Sequence, residues 1–184
     1  MHGLRPYLSR LLIDGLVLSA LFSAVALVSL WADPVLWLDD YPPDVRDAVG
    51  DSLAPSSLGR GIVAIAFLVV IVGGLVVSLR RLDAAVDGIG ARAAGLYAFA
   101  LIWIVNAIDV LVVDWLFFMN LWRRRVTLPG TEGLAGYDDY LFHLKASFLS
   151  VTPWVGSLTL AAVTAGGWWW LVVRRRTRGR VRIA

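Results

Sequence analysis

Apolar residues gather in four blocks, at about 11–31, 60–79, 93–121 and 146–173, with charge concentrated between them. At 1.5 Å per residue each block is long enough to cross ~30 Å of hydrocarbon. A helix satisfies all of its own backbone hydrogen bonds in that medium, where water is absent. The pattern therefore predicts an all-α membrane bundle of four transmembrane helices, forming one domain over residues 1–184. No polar connection is long enough to hold a separate soluble domain, which usually needs ~50 residues.

The blocks differ in detail. The first carries Asp14 about one turn inside its start, which reads as an interfacial carboxylate or a partner for Arg10 four residues earlier. The second is rich in Val and Ile, and Gly73-Gly74 suits close helix packing. The third exceeds the ~20 residues a perpendicular span needs, so it is tilted or protrudes. In the fourth, Ser157, Ala161 and Ala165 recur every four residues as a small-residue packing face. Pro153 lies near its start, where proline disrupts least, and Trp168-Trp169-Trp170 forms an interfacial belt at its end.

Composition settles the class: 59% of the 184 residues are hydrophobic, against ~45–50% in soluble domains. There is no cysteine, which excludes disulfides, thiol catalysis and Cys-ligated zinc. No P-loop, GxSxG, HExxH or dinucleotide fingerprint is present. The net charge of +3 is unevenly spread. With both termini cytoplasmic, eleven arginines fall inside and six Arg or Lys outside. That bias predicts an inner (plasma) membrane protein with N-in, C-in topology. The tail Arg174–Arg182 is expected to meet anionic lipid headgroups rather than nucleic acid. The small-residue faces allow a homo-oligomer or a place in a larger membrane complex.

The first connection holds Asp33, Asp39, Asp40, Asp44, Asp47 and Asp51 against a single internal Arg46. Asp33-Pro34 and Pro42-Pro43 break regular structure, and residues 43–50 suit a short surface helix. The six acids resemble a cation-attracting vestibule but read more simply as a solvated loop, since they lack EF-hand spacing.

Candidate chemistry concentrates between Asn106 and Lys145. Asp109 sits mid-span, where an aspartate costs roughly 2.5–3.5 kcal/mol on insertion scales. It reads either as hydrogen-bonded glue between helices or as a functional polar site. In both cases it should face other helices, with Asn106 three residues earlier and polar atoms of other spans completing its contacts. Asp114, five residues on, lies about 140° round an α-helix, so the two acids are not expected on one narrow stripe. Beyond the span, Arg123, Arg124, Arg125 and Lys145 are placed to neutralise Asp114 or hold a solute. Asp139 and His143 are four apart, a spacing compatible with joint metal ligation on a helix. Glu132, Asp138 or Asp114 would have to complete such a set.

The run Asp109…Asp114-Trp115, then Pro129-Gly130-Thr131-Glu132-Gly133, then Tyr137-x-Asp139-Tyr140-x-Phe142-His143-x-Lys145 resembles a family of small bacterial multi-pass membrane proteins with no assigned activity. The resemblance covers the third span to the start of the fourth and implies a bacterial membrane protein without naming a substrate. The expected function is binding or passing a small solute, ion or lipid at this polar segment. The alternatives are an interfacial hydrolase or transferase using Glu132, Asp139 and His143, and an accessory subunit. No cofactor is indicated.

Overall fold

The structure, a computed structural model, describes residues 5–175. These form an all-α bundle in which four helices, Arg5–Ala32, Ser57–Ala85, Ala91–Leu121 and Tyr140–Val173, are long and apolar enough to cross a membrane. In chain order, α1 is Arg5–Ala32, α2 Pro43–Val49 and α3 Ser57–Ala85. Helix α4, Ala91–Asp109, runs on as a π-helix through Val110–Leu121. Short α5, Arg123–Val126, and α6, Tyr140–Leu144, follow. A π turn over Lys145–Leu149 leads to α7, Val151–Trp168, which ends in a second π turn over Trp169–Val173. Residues 176–182 of the basic tail lie outside the described residues.

Helices α1 and α4 form the centre. Helix α3 packs mainly on α1, and α7 on α4. The outer helices consequently leave broad apolar faces, such as Ile65 and Leu68 on α3 and Leu158 and Val163 on α7. Such faces suit lipid, because no water-filled surface would tolerate so large a contiguous patch. The small-residue face on α7 is used as its spacing implies. A Cβ on Gly95 would come within 3.0 Å of both the Ala161 carbonyl oxygen and the Ala165 Cβ, and Ser157 is buried. On α3, Gly74 receives the Leu18 side chain of α1.

Asp14 is enclosed by protein, and the cation beside it is Arg81 rather than Arg10. It is 2% exposed, accepts a hydrogen bond from the Tyr97 hydroxyl at 2.9 Å, and lies 3.6 Å from Arg81 Nη1. Helix α3 continues through Ala85 rather than stopping near residue 79, and the extra turns carry Arg81 onto the α1 face. Three helices thus meet on one carboxylate.

The fourth span is broken rather than continuous from residue 146. Ser150 is extended, with φ −77° and ψ 157°, so the carbonyls just before it lose their helical donors. Four of them have donors nearby. Lys145 O accepts from Ser150 N at 3.0 Å, and Ala146 O from Ser150 Oγ at 2.6 Å. Ser147 O accepts from Asn106 Nδ2 and Phe148 O from Trp154 Nε1, both at 2.9 Å. Non-helical backbone at membrane depth is tolerated where protein satisfies it in this way.

The two long connections are not loops either. They dock on each other as a folded cap over one end of the bundle. Its core holds Tyr41, Val45, Phe118, Val126, Leu128 and Tyr137, all buried. Tyr41 donates to Val126 O at 2.8 Å, and the Tyr137 hydroxyl accepts from Leu128 N at 2.9 Å. Asp44 accepts from Gly136 N at 2.8 Å, joining chain segments 92 residues apart. Burial drives the Tyr41 phenol above its ordinary pKa, with Tyr137 and Asp33 adding to the effect.

Candidate solute-binding site

Beneath the cap, where α1, the π-helix, the 3₁₀ turn Pro34–Asp40 and α6 converge, lies a cavity of about 190 Å³. Asp39, Asp40, Asp109, Asp114 and His143 line it, together with the rings of Trp37, Tyr41, Phe118 and Phe142. Asp109 therefore faces protein and cavity rather than lipid, as its depth requires.

Asp109 and Asp114 share this cavity although an α-helix would set them well apart. From Val110 onward the helix is π, with hydrogen bonds spanning five residues, as in Trp122 N to Phe117 O at 2.7 Å. The wider turn brings residues five apart nearly over one another. Neighbouring carboxylates follow from that change of pitch, which spacing rules for an α-helix cannot show.

The acids differ in how far they are committed. Asp39 is exposed and paired with Arg60 at 2.9 Å. Asp114 Oδ2 lies 3.4 Å from His143 Nδ1. A carboxylate there favours the ring proton on Nδ1. His143 itself is 6% exposed, and its Nε2 has no hydrogen-bond partner among the described residues. The carboxyl groups of Asp109 and Asp40 make no hydrogen bond or ion pair among the described residues. Asp40 is open to solvent at the mouth, yet enough protein surrounds it that desolvation, then the charges of Asp114 and Asp39, raise its pKa. His143 and Arg60 act in the opposite sense. Four carboxyl groups around one cavity with a single histidine and one arginine leave the space strongly electronegative.

The other residues singled out in the sequence lie elsewhere. Asn106 spends its amide on Ser147 O at the helix break, not on Asp109. Arg123 grips the cap, bonding the Tyr137 carbonyl and both oxygens of Asp138, at 2.9 and 3.1 Å. That hydrogen bonding lowers the Asp138 pKa. Arg125 caps the end of α1 at Trp31 O, 3.0 and 2.6 Å away. Arg124 and Lys145 are exposed and make no contact with the cavity. Glu132 is exposed on the turn, accepting from Gly130 N at 3.3 Å.

Asp139 does not share a helical face with His143. It is the N-cap of α6, with non-helical φ −85° and ψ 78°, and accepts from Phe142 N at 3.0 Å. Being outside the helix, it escapes the four-residue register that would have paired it with His143. Among the described residues no three His, Asp or Glu side chains come together as metal ligands.

Sequence reasoning did not place Asp39, Asp40 or Trp37 in the site. The density of aspartates in the first connection was the available signal, and its six acids divide by role. Asp33 caps the 3₁₀ turn at 3.0 Å, Asp44 holds the cap, Asp39 and Asp40 line the cavity, and Asp47 and Asp51 are exposed. Comparison with family models, curated proteins and solved structures finds no match to this chain.

Proposed function

We propose that this is a multi-pass membrane protein that binds a small cationic solute in the acidic cavity, as a step in holding it or passing it across the membrane. The observation that carries the reading is Asp109. It is a carboxyl within an apolar span, on a cavity shared with Asp40 and Asp114, and no group among the described residues hydrogen-bonds it. An intramembrane acid retained without a structural partner is costly, and function is the usual reason for it. The site proposed here keeps Asp109, Asp114 and His143, adds Asp40, and leaves Asn106, Arg123 and Asp139 to the scaffold. An interfacial hydrolase or transferase built on Asp139 and His143 draws no support from their separate placements.

The cap end faces outside in this reading, with both termini and the 86–90 turn cytoplasmic in a bacterial plasma membrane, as the arginine distribution supports. Anionic headgroups would meet the basic tail, and the apolar faces of α3 and α7 would meet lipid or a further copy.

Thermal unfolding of the purified protein in nanodiscs tests the reading. A ligand that binds only the folded state stabilises it by about 2.7 kcal/mol at a hundredfold excess over Kd. Small cations should raise Tm in the parent but not in Asp109→Asn, and anions of equal size should do nothing. Equal shifts from cations and anions, or shifts that survive Asp109→Asn, refute it.

A further inference from the structure

We propose that the cavity is built for an organic ammonium ion with a short hydrocarbon body, not for a bare metal ion. This rests on the cation-binding reading above and names the class of cation.

Three observations separate the two classes. First, a hard divalent ion needs about six oxygen ligands at roughly 2.0–2.6 Å, whereas no three acidic or imidazole side chains among the described residues gather closely enough to hold one. The carboxylates come from two segments, the 3₁₀ turn and the helix that continues α4, on the walls of one cavity. Second, that space is about 190 Å³. With ~30 Å³ per water in the liquid, it accepts a body of about six water-sized groups, far more than an ion. Third, its walls are chiefly apolar and aromatic. Trp37 and Phe142 are half-buried, so part of each ring remains uncovered, and Leu30 and Val113 lie among them.

Negative charge set among aromatic faces is how proteins recognise alkylammonium groups, through the ring quadrupole together with a nearby carboxylate. The commitments of the acids assign the charge. Asp39 is held by Arg60 and Asp114 faces His143, which leaves Asp109 in the depth and Asp40 at the mouth. An ammonium head therefore meets Asp109, its alkyl chain lies against Trp37 and Phe142, and Asp40 is placed to receive a second ammonium if the solute is a diamine.

The test is binding to the purified full chain in nanodiscs by calorimetry, at constant ionic strength. The probes are methylammonium, butylammonium, 1,4-diaminobutane, sodium, magnesium and calcium. Butylammonium should bind at least about tenfold tighter than methylammonium, because it buries up to three more methylenes against the apolar wall. Asp109→Asn should lose at least about tenfold for both amines, and Trp37→Ala about fivefold for butylammonium, through lost apolar contact with the alkyl chain. The chain-length series in the parent protein serves even if Trp37→Ala fails to fold. Binding of magnesium or calcium without butylammonium overturns this assignment and leaves the cation site standing. Affinity that ignores chain length and Trp37 while falling in Asp109→Asn overturns it too. Binding of none of the six probes removes both.

Discussion

Replacing Asp109 by leucine should make the protein more stable and stop it binding. An aspartate at mid-span costs ~2.5–3.5 kcal/mol on insertion scales while leucine gains ~0.3–0.6, so full lipid burial would make the exchange worth about 3–4 kcal/mol. Asp109 is half-buried and borders a cavity, which hydrates it in part and scales the gain to roughly 1–2 kcal/mol. One further feature supports that sign. No donor among the described residues is stranded, because none reaches its carboxyl. At ~2–4 °C per kcal/mol for a chain of this size, Tm in nanodiscs should rise by about 3–6 °C at neutral pH. Asp109→Asn should rise less, since the amide remains polar. Solute binding should be abolished in Asp109→Leu. A fall of 1 kcal/mol or more in that variant would mean the carboxyl holds the helices together, and the site assignment would fail.

Gly136→Ala should loosen the cap. Its Cβ would crowd Asp44 and come 2.7 Å from Pro42 Cβ, on a residue whose N–H is bonded to Asp44; a loss of about 2 kcal/mol follows from overpacking and the weakened bond, read as a lower Tm and faster proteolysis between residues 126 and 139. Asp40 should contribute a pH dependence. Folding raises its pKa, so the folded protein keeps a proton that the unfolded chain has already lost, and stability falls as pH rises above the ordinary carboxylate value of 3.8. Asp40→Asn should accordingly melt higher than the parent at pH 7, with the difference closing as pH drops towards that value; a difference independent of pH refutes the account. For topology, cysteines at the exposed positions Ser52 and Ala85 should react oppositely with an impermeant thiol reagent in intact cells. Labelling at residue 52 alone is expected, and labelling at 85 alone inverts the orientation.

The four spans were legible because long apolar runs have one solution in lipid, and their edges moved by up to six residues. Asp109 was legible for the same reason, since a lone acid in such a run has to face protein. What escaped was everything that depends on pairing at a distance. The short helix expected over residues 43–50 is there as Pro43–Val49, but the cap's helical pieces, of seven residues or fewer, are too short for periodicity to show how they dock, and its key bonds join Tyr41 to Val126 and Asp44 to Gly136, 85 and 92 residues apart. Asp114 was misplaced in angle by the π pitch, and Asp139 was misread because a capping residue lies just outside the helix it starts. The break at Ser150 had a local hint in Pro153, but the donors that permit it, Asn106 and Trp154, lie on α4 and further along α7.

The triad of Asp14, Arg81 and Tyr97 bears on how the chain is made. Synthesis delivers α1 and α3 before α4 exists, and at that stage α1 carries a carboxylate that the lipid disfavours. Its counter-ion belongs to the same first hairpin: Arg81 is already present when α3 enters. The nascent pair can settle as a neutralised unit, and Tyr97 then docks α4 on an acid waiting for a donor. Arg81→Leu would therefore act early, lowering the yield of inserted protein, whereas Tyr97→Phe would act late, sparing insertion and weakening only the assembled bundle.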